Sequence, residues 1–220
     1  MDNKIVIDEL FRSRRKTVTI QVSDTGKLIV RAPFHTSNVA ILQIINKHAE
    51  WIIKKQSQIL KNRKNFTDNE LFLFLGKTYK LHIVENQKQP LIFKNNFYLS
   101  ENFLQEARKI FIRWYRNALY APLLRRVKMY AEQHDFNYNK VKISLAEKRW
   151  GSCSSKGNLN FSWRLAMADL SIIDYIVVHE LVHLKIRNHS RMFWEYVGKI
   201  MPCYKKYDTW LKNNGSILML

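Results

Sequence analysis

The feature that most constrains this chain is an apolar segment, residues 172–184, whose second half carries His179, Glu180 and His183. A segment this apolar has to be buried. In a helix of 3.6 residues per turn, His179 and His183 lie one turn apart on the same face, where both imidazoles can reach a single metal ion. Because buried imidazoles and carboxylates are costly without partners, a metal site is a better interpretation than two hydrogen-bonded core histidines.

Glu180 directly follows the first histidine and completes the H-E-x-x-H pattern of helical zinc sites. It lies about 100° further round the helix axis than His179, so its carboxylate can reach a water molecule beside the ion but is poorly placed to bind the ion itself. Glu180 is therefore the predicted general base. The capping-box spacing of Ser171 and Asp174 predicts where this helix begins.

His189 is the predicted third metal ligand. Zinc in hydrolases usually has three protein ligands and one position open to water, so the motif needs a third donor. His189 comes six residues after His183, which leaves room for the chain to turn back toward the ion. Asn188 is expected to end the helix in the left-handed conformation that asparagine tolerates. A lone histidine is more often a surface residue, but the offset favours a ligand.

The chain is strongly basic, with 37 Lys and Arg residues against 18 Asp and Glu residues and a formal charge of +19. Such a charge attracts polyanions, which makes nucleic acid a candidate partner. Much of the excess is lysine scattered among asparagine and isoleucine, however, and scattered charge is usually a solvated surface. The charge alone therefore leaves both interpretations open.

Neither a membrane segment nor a disulfide framework is expected. The chain has no run of eighteen apolar residues. Its N-terminus, residues 1–5, lacks the apolar core of a signal peptide, which predicts a cytoplasmic protein with no membrane partner. Cys153 and Cys203 are isolated from each other in sequence and are predicted to be free thiols.

Strand and helix patterns predict a β-rich N-terminal part. β-Branched residues alternate with other residues in segments 17–22 and 27–33, on either side of a turn. This pattern predicts a β-hairpin. Thr36 or Ser37 can cap a single helix over residues 38–61. Two further stretches predict strands, residues 71–84 and 91–99. We place a domain boundary near residue 100, which gives an N-terminal extension, residues 1–100, with one long helix.

The remaining residues, 101–220, predict a catalytic core of mixed structure. Residues 101–135 have the periodicity of a long helix, which Pro122 should kink or divide. Residues 141–145 and 158–163 predict strands, and the glycines between them favour tight turns in a hairpin connection. Two short helices are expected after His189. The predicted fold class is α+β.

Beyond these patterns, the chain resembles the YgjP-like metallopeptidase family, which is related to the SprT-like and other small zincins. The most specific of the matching segments are residues 149–153, 160–165, 174–184 and 188–194. Further matching segments are residues 12–15, 31–33 and 75–77. The likeness extends over nearly the whole chain.

The resemblance implies a zincin-like core of a helix, a small sheet and the H-E-x-x-H helix, preceded by an N-terminal extension of β-hairpin, helix and strands. It implies that His179, His183 and His189 bind Zn²⁺ and that Glu180 is catalytic. Zincins commonly bind a peptide along a sheet edge, and residues 158–163 are the expected edge. The candidate substrate-binding residues are Arg149, Trp150, Gly151, Ser152, Asn160 and Phe161.

The predicted function is zinc-dependent hydrolysis of peptide or protein substrates, with Glu180 as the base that activates water. Arg149, Tyr204 and Tyr207 are candidates for stabilising the oxyanion. One alternative is a zinc-dependent phosphohydrolase or nucleotide pyrophosphatase, although no glycine-rich phosphate loop is present. Another is a nucleic-acid-associated protease or zinc-binding protein, which the basic composition would suit.

Overall fold

The computed structural model describes residues 5–23 and 25–220. The first four residues and Asp24 of the predicted hairpin turn lie outside this described part. The chain forms two compact units, Met1–Arg63 and Lys64–Leu220. Among the described helices, none is long and apolar enough to cross a membrane.

The N-terminal unit is built on a three-stranded sheet of order β1-β3-β2, formed by β1 (Glu9–Ser13), β2 (Thr19–Val22) and β3 (Leu28–Pro33). Strands β2 and β3 pair antiparallel around Gly26, whose positive φ of 84° suits a turn, and this confirms the predicted hairpin. Strand β1 pairs parallel with β3 and is absent from the sequence-based prediction.

Two helices, α1 (Asn38–Lys47) and α2 (Ala49–Asn62), follow the sheet. The predicted cap is confirmed, since the Ser37 hydroxyl accepts a hydrogen bond from the Ala40 N–H at 3.2 Å. The prediction of one helix over residues 38–61 is wrong, because His48 has the non-helical angles φ −107° and ψ 14°. Apolar residues of the sheet and both helices form this unit's core: Leu28, Val30, Ala32, Ile41, Ile45 and Ile52.

The second unit begins with a four-stranded sheet of order β4-β5-β7-β6. Its strands are β4 (Leu71–Phe74), β5 (Lys77–Val84), β6 (Leu91–Phe93) and β7 (Phe97–Ser100). Aromatic rings pack the sheet against the helix α3 (Ala107–Gln133), with the Phe72 and Phe111 centroids 4.6 Å apart. These strands share a hydrophobic core with α3, so they belong to the second unit, which begins at Lys64. The sequence pattern places the domain boundary near residue 100 instead.

Helix α3 is continuous and runs through Pro122. A short 3₁₀ helix, Glu101–Glu106, precedes it, so the predicted helix over residues 101–135 begins as 3₁₀ rather than α. The helix is not divided at the proline. Leu119 and Leu123 on either side of Pro122 are fully buried, and this packing offsets the hydrogen bond that proline removes.

A second sheet of this unit contains β8 (Lys140–Ser144), β9 (Gly151–Cys153) and β10 (Asn158–Ser162) in the order β8-β10-β9. Strand β10 is central, parallel to β8 and antiparallel to β9. The expectation that residues 158–163 form an edge is therefore wrong, because a turn at Gly157, with φ 70°, folds β9 back alongside β10. Strand β9 is the edge strand instead.

The last part of the chain consists of helices. They are α4 (Leu170–Val182), α5 (Arg191–Ile200) and α6 (Tyr204–Asn214). Helix α4 carries the H-E-x-x-H motif and packs against both α3 and β9. A long helix, a small sheet and the motif helix thus form the expected core, and the α+β class is confirmed. Both cysteines are free, as predicted.

Helix α4 begins with a cap that differs from the predicted one. The Asp169 carboxylate accepts hydrogen bonds from the Ser171 N–H at 2.9 Å and from the Ser171 hydroxyl at 2.7 Å. The predicted capping box of Ser171 and Asp174 is wrong, because Asp174 is buried and forms a bidentate ion pair with Arg126 of α3. This ion pair fixes α4 against α3 just before the motif.

Removal of the ion pair should destabilise the protein. In Arg126→Met, the Asp174 side chain, which is only 10% exposed, would lose both of its donors. We expect the free energy of unfolding to fall by about 2–4 kcal/mol, since breaking one side of a buried pair leaves an uncompensated charge. Urea unfolding followed by circular dichroism measures the loss. Arg125→Met, at the exposed neighbouring position, is the control and should change stability by less than about 0.5 kcal/mol. Equal losses in the two variants would contradict this role.

Candidate metal centre

Three histidines converge at the end of α4. The Nε2 atom of His189 lies 3.0 Å from Nε2 of His179 and 3.2 Å from Nε2 of His183. Within the described part of the chain, these residues form a group of side chains that could hold a metal ion. The structure thus brings together the three side chains that the sequence predicts as ligands.

The spacing of the three nitrogens fits a tetrahedral zinc ion. Zinc binds imidazole nitrogen at about 2.0–2.1 Å, which places two ligands of a tetrahedron about 3.4 Å apart. The observed separations of 3.0 and 3.2 Å are slightly shorter. Three Nε2 atoms that face one another cannot all be satisfied by mutual hydrogen bonds, since a neutral imidazole has one donor and one acceptor. The donor set therefore fits a metal ion.

Local contacts keep two of the imidazoles neutral near pH 7. Burial lowers the pKa of His179 to about 3, and the neighbouring His183 and His189 add to the shift. Burial also lowers the pKa of His183. The Ile186 carbonyl accepts a hydrogen bond from the Nδ1–H of His183 at 3.0 Å, which leaves a lone pair on Nε2 for metal binding.

The chain reaches His189 through a tight turn after α4. The N–H groups of residues 184–186 donate to the carbonyls of Leu181 and Val182, so backbone hydrogen bonds close the end of the helix. The predicted left-handed conformation of Asn188 is wrong, because this residue has no positive φ. The hydrogen bonds of residues 184–186 already end the helix before Asn188, so no left-handed residue is needed there.

Arg187 attaches this loop to the β9–β10 hairpin. Its guanidinium donates to the Ser154 carbonyl at 2.8 Å and to the Ser155 carbonyl at 3.2 Å, and it lies 3.6 Å from the Cys153 sulfur. The loop that carries His189 and the edge strand are therefore held together. This role could not be predicted from the sequence, because backbone carbonyls carry no residue signature.

Aromatic rings pack around the histidines. Phe193 of α5 is fully buried, and its ring centroid lies 4.5 Å from that of His183 and 4.8 Å from that of His189. Trp194 stacks on His189 at 5.7 Å and on Tyr204 at 5.4 Å. These contacts fix the orientation of the imidazole rings. Tyr204, a candidate oxyanion donor, belongs to this aromatic stack.

Glu180 is buried at the point where α4 meets β9. It is 5% exposed, and burial raises the pKa of its carboxyl to about 8, while the charge of Arg149 partly opposes the rise. Its carboxylate lies against the backbone of Gly151, where an added Cβ atom would be 2.5 Å from Oε1. Gly151 lies within a strand and has no positive φ, so it is required for space rather than for the tight turn that the sequence predicts.

Four of the candidate substrate-binding residues lie on the β9–β10 hairpin. Gly151 and Ser152 are on the edge strand, where Gly151 pairs with Phe161 and Ser152 pairs with Asn160. Phe161 is fully buried and offers no surface to a substrate. Of these four residues, Gly151 and Ser152 are therefore the ones at the accessible edge.

The two other candidates, Arg149 and Trp150, immediately precede β9. Trp150 packs under Arg164, whose guanidinium carbon lies 4.3 Å from its ring centroid. The Arg164 guanidinium also donates to three carbonyls at 2.6 Å, those of Glu147, Gly215 and Leu218. Arg164 therefore anchors the segment before the edge strand, which the sequence did not indicate. Arg149 is exposed.

The outer edge of β9 presents backbone groups that no strand uses. The Ser162 N–H donates to the Trp150 carbonyl at 2.8 Å, so Trp150 and every second residue after it face β10. The alternate residues, Gly151 and Cys153, therefore direct an N–H and a C=O each away from the sheet. Among the described strands, none pairs with this side of β9.

Comparison with known proteins gives one family match and two similar structures. A family model described as YgjP-like, metallopeptidase domain, matches residues 16–214. The crystal structure of the metallopeptidase zymogen abylysin from Pyrococcus abyssi is 21% identical with a TM-score of 0.39, covering 42% of this chain and 95% of its own. That of jannalysin from Methanocaldococcus jannaschii, also a metallopeptidase zymogen, is 18% identical with a TM-score of 0.38, covering 41% and 94%. A comparison with curated proteins finds no match.

The histidine group should bind zinc in the purified protein, and loss of His189 should weaken binding sharply. We expect His189→Ala to lower zinc affinity by more than the roughly 10- to 100-fold that loss of an outer hydrogen-bond partner costs. Metal content and competition with a chromogenic chelator measure the effect. His35→Ala, at an exposed position of the N-terminal unit, is the control and should bind zinc as the wild type does. Equal affinity in all three proteins would contradict the assignment.

Proposed function

The chain belongs to the YgjP-like metallopeptidase family, and we propose that it is a zinc-dependent peptidase in which His179, His183 and His189 bind the ion and Glu180 is the general base. One observation carries the proposal: Glu180, which directly follows His179 on α4, is buried, and its carboxylate lies against the bare backbone of Gly151. A base at this point adjoins both the metal group and a strand edge that can bind a peptide.

The three histidines supply a donor set of nitrogen atoms alone. A zinc ion bound there would polarise the substrate carbonyl and lower the pKa of a water molecule. The Ile186 carbonyl and the ring of Phe193 hold the imidazoles in the orientation that binding needs. Because His179 and His183 are neutral near pH 7, they have no proton to lose when they bind the ion.

Glu180 is suited to move a proton in both directions. Burial raises its pKa to about 8, so its carboxylate is a stronger base than that of an exposed glutamate. A cation held by the histidines would oppose part of this rise. Glu180 can therefore accept a proton from water at a carboxylate oxygen and later donate it to the nitrogen of the leaving amine.

The outer edge of β9 is suited to bind an extended substrate. Gly151 and Cys153 direct N–H and C=O groups outward, and a peptide can pair with them as an additional strand. Because Gly151 has no side chain, the substrate and Glu180 can both approach the strand there. The hydrogen bonds of Arg187 keep this edge in a fixed position relative to the loop of His189.

Glu180→Gln should nearly abolish peptide hydrolysis while zinc binding persists. The amide has the shape of the carboxyl group but cannot take up the proton, so we expect kcat to fall by about 10²–10⁴-fold. Cleavage of casein and fluorogenic peptides measures turnover, and chelator competition measures zinc affinity, which should stay at the wild-type value. Hydrolysis at the wild-type rate by the zinc-loaded variant would show that Glu180 is not the base.

A panel of nucleoside triphosphates in the same experiment separates the peptidase from a phosphohydrolase. Both reactions can use zinc held by three histidines. Peptide hydrolysis also uses the unpaired strand edge beside the base, which is why we favour it. We expect peptide cleavage without phosphate release. Zinc-dependent phosphate release that Glu180→Gln abolishes, with no cleavage of any peptide, would overturn the proposal.

Gly151→Ala tests the close contact between the strand and the base. The added methyl group would lie 2.5 Å from Oε1 of Glu180, so the carboxylate would have to move. A displacement of about 1 Å can cost about 100-fold in rate, and we expect a loss of that order in kcat with zinc affinity retained. Ser155→Ala, in the exposed turn after β9, is the control and should keep wild-type activity. An unimpaired Gly151→Ala enzyme would refute the placement of the base.

A further inference from the structure

We propose that the peptides hydrolysed at this site are acidic, with carboxylate side chains two to three residues from the scissile bond on both sides. This inference rests on the proposed peptidase function and names the class of substrate for it. It follows from two exposed arginines close to the edge strand β9: Arg149 precedes the strand, and the Arg187 guanidinium lies 3.6 Å from the Cys153 sulfur at the end of the strand.

The two arginines lie at opposite ends of the edge strand. Arg149 stands two residues before Gly151, the point where Glu180 meets the strand. The Arg187 guanidinium lies 3.6 Å from the sulfur of Cys153, which stands two residues after Gly151 and directs its backbone groups to the outer edge. A peptide paired with the edge between them therefore has a cation near each of its ends.

The rise of the strand gives the register of the acidic side chains. An extended strand advances about 3.3 Å per residue, so the Arg187 contact at Cys153 lies about 7 Å from Gly151 on one side, and Arg149, two residues before Gly151, lies within about 7 Å along the chain on the other side. A bound peptide has the same rise. When its scissile carbonyl lies beside Gly151 and Glu180, the side chains two to three residues away in each direction are level with the arginines.

Nearby acidic residues do not neutralise this edge. Residues 136–168 include six Lys and Arg residues but a single acid, Glu147, which is paired with Arg108 at 3.2 Å. The first acid that follows Glu180 along the chain is Glu195, and it pairs with Arg191 at 2.7 Å. The two chain segments that carry Arg149 and Arg187 are therefore positively charged.

The charges of the two arginines are available to a substrate. The described contacts of Arg187 are with two backbone carbonyls and a thiol, which orient the guanidinium without cancelling its charge. Arg149 is exposed, and the described hydrogen bonds and ion pairs do not include it; its charge acts on the buried Glu180 carboxyl. An acidic side chain would find a counter-charge at each position, and a basic one would be repelled. The formal charge of +19 would also attract acidic peptides from a distance.

A series of fluorogenic peptides with a common cleavage core tests the inference on the zinc-loaded wild-type protein. The peptides carry glutamate, glutamine or lysine two and three residues before and after the scissile bond. We expect kcat/KM to rise about two- to fivefold for each exposed ion pair gained, and the advantage to shrink with added salt. Equal values for the three series, or a preference for lysine, would overturn the inference.

Arg149→Glu is the matched variant. It should lose the preference for glutamate on one side of the scissile bond and keep it on the other side, which Arg187 faces. Arg113→Glu makes the same change of charge at an exposed position of α3 and should keep the wild-type preference on both sides. If the control alters the preference as much as Arg149→Glu does, the net charge is responsible and the inference fails.

Peptide binding separates this inference from the proposed function. Fluorescence anisotropy with zinc-loaded Glu180→Gln reports affinity without turnover. Cleavage with no preference for acidic peptides overturns the inference and leaves the peptidase. Tighter binding of acidic peptides that depends on Arg149, with no cleavage of any peptide by the wild type, overturns the peptidase and supports the acidic-peptide edge. If the protein neither cleaves nor binds any of the peptides, both the inference and the proposed function are overturned.

Discussion

The burial of polar side chains on one apolar helix is the constraint on which the rest of this structure depends. Helix α4 carries Asp174, His179 and Glu180 within a segment that is otherwise buried and apolar, and buried polar groups are costly unless they are paired. Arg126 of α3 pairs with Asp174, the two other histidines converge on His179, and the strand β9 lies against Glu180. One polar group of α4 thus contacts each of three neighbouring segments: α3, the loop of His189 and β9.

Glu180 differs from Asp174, the other buried carboxylate of α4, because the described residues give it no hydrogen-bond partner. Its approach to β9 is close only because Gly151 has no side chain, and its burial raises its pKa to about 8. A carboxyl group with a purely structural role would be expected to have a partner, as Asp174 has. The same lack of a partner that costs stability would make Glu180 a better base in the proposed reaction, and such perturbed groups are typical of functional sites.

The convergence of the three histidines could be predicted from the sequence because it depends on spacing within one helix and its following loop. The start of α4 could not, since Asp169 and Ser171 are both good caps and the choice depends on Asp174 pairing with a residue 48 positions away. The identity of the edge strand likewise depends on long-range pairing, of β8 with β10. The basic composition predicted only attraction to polyanions, whereas the structure brings Arg187 to Cys153 of the edge strand, which Arg149 precedes in the chain.

Anomalous diffraction at the zinc absorption edge, from crystals grown with zinc, tests the central claim most directly. We predict one strong peak about 2.0–2.1 Å from the Nε2 atoms of His179, His183 and His189, with the Glu180 carboxylate outside the coordination sphere and still against Gly151. A peak bound by other residues, or by Glu180 in place of one of the histidines, would contradict it.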